Sequence, residues 1–104
     1  MDCIFCNIIN KKQAADIVYE NDKFIVFKDI KPSAPTHLLL LPKTHIVSVN
    51  HLEEKHKELI ADLFFLAKKI AKEQGVDDGY RLFFSVGRKG GQTVDHLHLH
   101  LLGG

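Results

Sequence analysis

The chain has 104 residues, 45% hydrophobic and 26% charged, which suits one domain over 1–104 and leaves no room for a second of useful size. With 14 Lys and Arg against 13 Asp and Glu the net charge is +1, and no basic stripe or acidic tail offers a footprint for nucleic acid or a membrane surface. The N-terminus lacks the basic and long apolar segments of a signal peptide, and the longest apolar runs, 38–41 and 63–67, are too short to span a bilayer, so a cytoplasmic address is expected.

In chain order, residues 4–10 read as a short helix with Ile4, Phe5, Ile8 and Ile9 on one side. Cys3 and Cys6, three apart, make a poor disulfide framework and read better as metal ligands or buried thiols. Residues 17–20 and 23–28 are rich in β-branched and aromatic side chains, and Asn21-Asp22 between them predicts a hairpin. Residues 29–36, with Pro32 and Pro35, read as a loop, and 37–41 as a strand stopped by Pro42.

From 52 to 74 the apolar positions Leu59, Ile60, Leu63, Phe64, Ala67, Ile70 and Ala71 repeat at helical spacing and predict one long amphipathic helix. Asn50 and Glu53 resemble a capping box, and Gly75 stands where a left-handed C-terminal cap belongs. His51 and His56 are expected to be solvated. Residues 80–86 predict a strand, 87–91 a flexible basic loop, and 95–102 the last strand. Helix, strands, long helix, strands is an α+β order with a largely antiparallel sheet.

The chemistry concentrates in His96-Leu97-His98-Leu99-His100. On a strand, alternation puts the three imidazoles on one face, here expected to be exposed, and the leucines on the other. Three histidines at period two contribute little to packing there. One reading is a zinc site with an open position for water. The other is nucleophilic catalysis: an imidazole with one nitrogen held as N–H presents the other lone pair to phosphorus, while a neighbouring histidine moves a proton. Gly90-Gly91-Gln92-Thr93, just upstream, supplies small residues, an amide and a hydroxyl suited to cradling a phosphate, although no Gly-Lys-Ser/Thr closes it as in a Walker loop.

The string Gly91-Gln92-Thr93-Val94-Asp95-His96-Leu97-His98-Leu99-His100-Leu101-Leu102 resembles the signature of the histidine triad (HIT) superfamily. Cys3-Ile4-Phe5-Cys6, Phe27-Lys28-Asp29-Ile30, the segment from Ala34 to Lys43 and Gly103-Gly104 resemble its Hint-like branch. The resemblance implies a HIT-like α+β fold: a mainly antiparallel five-stranded sheet with one long and one short helix. It also implies a nucleotidyl hydrolase in which His98 attacks the α-phosphorus, its other ring nitrogen held by a main-chain carbonyl. His37 and His100 would support His98, and Thr93 would bind the phosphate or leaving group. Gly91, Gln92 and Ser85 would lie at the phosphate, and Asp29 at the ribose. Ile4, Phe5, Ile8, Phe27, Ile30 and Leu39 would wall the base.

In that branch the typical substrate is a purine nucleoside phosphoramidate and the protein is a homodimer, here joined through the long helix and the 80–86 strand. No cofactor is implied for the chemistry. A structural zinc on Cys3, Cys6, His45 and His96 resembles the site of several relatives. Alternatives are a dinucleoside polyphosphate hydrolase, a metal-dependent hydrolase, and a nucleotide- or zinc-binding interaction module with little activity. Two departures bear on selectivity: Ser85, near the phosphate where the branch often has Asn, bears on substrate preference, and the end of the sequence at Gly104, without the extension that in many relatives reaches the active site, bears on leaving-group selectivity.

Overall fold

A computed structural model describes residues 3–104. The elements are α1 (Ile4–Ile9), β1 (Ile17–Glu20), β2 (Phe24–Lys28), β3 (Thr36–Pro42), α2 (Lys57–Glu73), β4 (Tyr80–Phe83) and β5 (Leu99–Gly103). The strands form one five-stranded antiparallel sheet in the order β1-β2-β3-β5-β4. The expected α+β architecture, with one long and one short helix, is the one observed.

The β1–β2 hairpin closes on Asn21, whose Oδ1 accepts from the backbone N–H groups of Lys23 and Phe24, each at 2.8 Å. That Asx turn is why Asn-Asp works between two apolar runs. The unbroken apolar stretches of β2 and β3 follow from burial on both sides of the sheet. One face, through Val26, Leu38, Leu40, Leu99 and Leu101, packs on Leu63, Ala67 and Ile70 of α2. The opposite face, through Ile25, Phe27, Leu39 and Leu41, packs on Phe5 and Ile8 of α1. Among the described residues, no helix is long and apolar enough to cross a membrane.

Several boundaries differ from expectation for local reasons. The long helix begins at Lys57 rather than 52, because two 3-10 turns, Val49–His51 and Glu54–His56, precede it. Side chains cap both turns and so compete with helix continuation. Ser48 Oγ accepts from Asn50 N–H at 3.2 Å, and Glu53 N–H donates to His56 Nδ1 at 2.9 Å. The capping box therefore joins Glu53 and His56, not Asn50 and Glu53; His51 is exposed as expected, although its Nδ1 bonds Ser48 Oγ, and His56 is a half-buried turn cap. Gly75 has φ +74 and ends α2 as expected.

Pro42 is the last residue of β3 rather than the residue after it. The final strand starts at Leu99, not 95, and β4 correspondingly ends at Phe83, which pairs with His100. The 87–91 loop is tied to the segment that follows it. Arg88 donates to both oxygens of Asp95, at 2.7 and 3.1 Å, and to the carbonyl of Gln92 at 2.8 Å.

Candidate active site and metal cluster

Strand alternation decides which side chains meet beneath α1. Leu99 and Leu101 enter the α2 core. His98, His100 and Leu102 therefore face the other way, beside His37 and Leu39 of β3 and Arg81 and Phe83 of β4. A cleft of about 730 Å³ opens there, within the size range of small-molecule sites. Ile4, Phe5 and Ile8 close one side, Asp29 and Ile30 stand on the β2–β3 loop, and Ser85, Gly91 and Thr93 line the far wall.

His98 is buried, not exposed, and its Nδ1 lies 2.6 Å from the carbonyl oxygen of His96. A carbonyl only accepts, so Nδ1 carries the proton and Nε2 keeps a lone pair. That nitrogen has no hydrogen-bond partner among the described residues and faces the cleft. Phe5 meets the ring edge-on, with centroids 5.0 Å apart. Burial lowers the His98 pKa below 6.5, opposed by the hydrogen bond to His96 and the charge of Asp29. The imidazole is therefore neutral at pH 7.

A second chain of hydrogen bonds fixes the other two histidines. Ser33 N–H donates to His37 Nδ1 at 3.0 Å, so the His37 proton sits on Nε2. That Nε2 is 3.0 Å from His100 Nδ1 and 3.4 Å from Asp29 Oδ2. His100 Nδ1 is thus an acceptor, and the remaining N–H of His100, on Nε2, is free to donate into the cleft. Phe83 stacks flat on His100, with centroids 4.6 Å apart and planes 9° apart. Burial, then the like charges of His98 and His37, pushes the His100 pKa down to about 4, against the pull of Asp29.

His96 turns away from this cleft. The bend at 94–96 lies outside β5, and the ring meets a second group of side chains at the N-terminus of α1. His96 Nδ1 is 3.2 Å from His45 Nδ1, 3.6 Å from Cys3 Sγ and 3.5 Å from Cys6 Sγ. Cys6 Sγ is 3.3 Å from His45 Nδ1. The other His96 nitrogen, Nε2, donates to the Pro42 carbonyl at 2.7 Å, which leaves Nδ1 as a lone pair aimed at the group.

A family model described as "Scavenger mRNA decapping enzyme C-term binding" matches residues 2–104. The chain is 43% identical over 104 residues to the purine nucleoside phosphoramidase of Escherichia coli (strain K12), covering 99% of this chain and 87% of that protein. It is 44% identical over 103 residues to the 14 kDa zinc-binding protein of Zea mays, covering 97% of this chain and 80% of that one. A HIT family hydrolase from Legionella pneumophila Philadelphia 1 superimposes with a TM-score of 0.97 at 46% identity, covering 99% of this chain and 93% of that one.

The chain belongs to the HIT superfamily.

In this HIT protein the cleft gathers every expected nucleotide-site residue except Gln92. Gln92 is 2% exposed and faces inward. Its Nε2 donates to the carbonyls of Val47, at 2.6 Å, and Val94, at 3.0 Å, and its Oε1 accepts from Gly87 N–H at 2.9 Å. Its own N–H is spent on the Gly87 carbonyl. Gln92 therefore braces the loop, and its side chain lies outside the cleft lining. Ile30, 91% exposed, stands at the rim rather than in the wall. Phe83, Arg81 and Ser33 were not legible beforehand. Phe83 and Arg81 follow from β4 alternation once its pairing to β5 is known; nothing in the sequence flags Ser33, which acts through its backbone.

The donor geometry of the second group fits a tetrahedral metal. Zinc bonded to sulfur at about 2.3 Å and nitrogen at about 2.0–2.1 Å has N–N edges near 3.3 Å and S–N edges near 3.6 Å. The observed separations, 3.2 Å for the two nitrogens and 3.3–3.6 Å for sulfur to nitrogen, have those lengths. Two thiols and two imidazole lone pairs are the donor set zinc takes in closed structural sites. Cys3, Cys6, His45 and His96 would hold the ion, and the His96–Pro42 hydrogen bond would orient its ring from outside. With four protein donors no position is left for water, so the group suits scaffolding rather than hydrolysis.

Proposed function

We propose that this HIT protein is a purine nucleoside phosphoramidase that cleaves P–N bonds through a nucleotidyl intermediate on His98. The observation that carries this reading is the His98 imidazole, with Nδ1–H tied to a carbonyl and Nε2 open on a cleft of nucleotide size. The purine and ribose sit between Phe5, Ile8, Phe27 and Leu39, with Asp29 accepting from the ribose hydroxyls. The α-phosphate lies against His100 Nε2–H, Thr93, Ser85 and Gly91.

His98 Nε2 attacks phosphorus, and the bond to the leaving nitrogen breaks as that nitrogen takes a proton from solvent. The His98 ring becomes an imidazolium, stabilised by the His96 carbonyl on Nδ1–H. Water then attacks the same phosphorus, returns a proton to solvent and frees His98, so one water is consumed for one nucleoside monophosphate and one amine. The identity to a purine nucleoside phosphoramidase favours a P–N substrate over a dinucleoside polyphosphate.

Zinc on the cysteine–histidine group is a structural element in this reading. The exposed Phe64 and Phe65 of α2, with the free edge of β4, form the face through which two copies pair. The deciding test is His98→Ala: turnover of adenosine phosphoramidate is lost while AMP binding and fold remain. Full turnover in that variant would refute the assignment.

A further inference from the structure

His96 takes part in both constellations, with its side chain in one and its backbone in the other. We propose that the Cys3–Cys6–His45–His96 group, closed around a divalent metal, is the positioning device that aims His98 and seats the base-binding helix, so that metal occupancy sets both nucleotide affinity and turnover. The proposal rests on His98 being the attacking group.

The path is short and continuous. The peptide joining His96 to Leu97 is held from both ends. Its N–H donates to the Ile46 carbonyl at 2.6 Å, and its C=O accepts from His98 Nδ1 at 2.6 Å. Ile46 follows His45, so cluster donors flank this peptide from both segments. This stretch precedes β5, so the sheet ladder does not fix it. Tilting the His96–Leu97 peptide turns the carbonyl that selects the His98 tautomer, and a His98 with its proton on Nε2 has no lone pair to offer phosphorus.

The second arm runs through α1. Cys3 caps the helix, its Sγ accepting from Cys6 N–H at 3.3 Å, and Cys6 lies one turn later. Phe5, between the two cysteines, touches both His98 and His96 edge-on, with centroids 5.0 and 6.2 Å apart. Ile4, Phe5 and Ile8 of this same helix wall the cleft. A helix of 6 residues has too few internal hydrogen bonds to hold its own position. Its seat depends on what the two cysteines bind, and through them on the segments of His45 and His96.

The test compares zinc-loaded wild-type protein with the same protein stripped by a chelator, and with Cys6→Ser and His45→Ala, neither of which reaches the cleft. Metal content, circular dichroism, AMP dissociation constant, kcat and the His98 ring proton in NMR are read on each. Metal-free protein is expected to bind AMP about tenfold more weakly, the scale of a base losing its stacking contact with a displaced Phe5. Its kcat should fall, and the His98 Nδ1–H signal should broaden into tautomer exchange. Zinc restores all three in wild type but not in the variants.

Unchanged AMP affinity, kcat and His98 signal in folded metal-free protein would overturn the proposal, as would failure of the wild type to take up zinc. Should stripping unfold the chain, zinc and cadmium forms are compared instead. The larger cadmium ion must shift AMP affinity and the His98 signal, and identical values overturn the proposal. Because AMP binding and the ring signal need no turnover, a metal response without phosphoramidate cleavage would sink the reaction class and leave the positioning role standing.

Discussion

Replacing Phe5 with alanine tests packing and site together. Phe5 is 7% exposed and meets Phe27 and His98 edge-to-face, with centroids 5.3 and 5.0 Å apart. Truncating a core phenylalanine costs about 3–5 kcal/mol. Here the vacated space opens into the cleft and fills with water, which places the loss at the low end, about 3 kcal/mol. For a chain of 104 residues that lowers Tm by about 12 °C, at roughly 4 °C per kcal/mol. An aromatic wall against a base contributes about 1–3 kcal/mol, so AMP should bind about tenfold more weakly or worse. Urea unfolding and calorimetric titration with AMP measure the two effects. Because His98 keeps its carbonyl partner, KM should rise more than kcat falls. A stability loss under about 1 kcal/mol with unchanged AMP affinity would refute the placement of Phe5.

The remaining predictions concern other parts of the molecule. Gly91 has φ +92, and a Cβ there would lie 3.7 Å from Ser85 Oγ; Gly91→Ala should cost about 1–2 kcal/mol through backbone strain and reduce kcat/KM, both measurable on purified protein. The folded pKa of His100, about 4, lies below its ordinary 6.5. The unfolded chain therefore binds more protons between these values, and stability should fall as pH drops from 6.5 toward 4, seen as falling urea midpoints. The acid limb of kcat/KM should likewise lie below 6.5, since the His98 pKa is also depressed; a limb at or above 6.5 would contradict the buried neutral imidazole. Phe65, 71% exposed, is the most exposed large apolar residue of α2; if the proposed pairing of two copies through this face holds, Phe65→Lys should leave the fold intact and give a monomer by light scattering where wild type gives a dimer.

Much of the fold was legible because local chemistry and burial agree. The Asn21 turn, most of the apolar stripe of α2 and Gly75 each act on their own neighbourhood and stand where the sequence placed them; the exception is Phe64, which is exposed while Leu66 is buried in the core. Misplaced boundaries come from competition that only the folded chain resolves. Ser48, Glu53 and His56 capture backbone groups that would otherwise extend α2 upstream. Residues 96–98 alternate like a strand, yet their hydrogen bonds go to Ile46 and to the His98 ring, so β5 begins later.

Strand alternation alone put the three histidines together, and only the family resemblance set His96 apart with Cys3, Cys6 and His45, the group the fold assembles. Period two predicted one face for three histidines, whereas the bend at 94–96 sends His96 to the cysteines and leaves His98 and His100 in the cleft. Gln92 beside two glycines reads as a phosphate ligand; its burial and three side-chain hydrogen bonds make it a brace. The tautomers of His37 and His100 depend on the Ser33 backbone N–H, a group every residue but proline carries, so no side-chain pattern could have marked it.

The central claim is that His98 Nε2 forms a bond to phosphorus. Its most direct measurement is mass spectrometry of protein quenched at alkaline pH within milliseconds of mixing with adenosine phosphoramidate, followed by peptide mapping. An adenylyl group on His98, formed and lost at rates consistent with turnover and absent from His98→Ala, is the predicted result. Turnover without any adduct on His98, or an adduct on His100 or His37 instead, would contradict it.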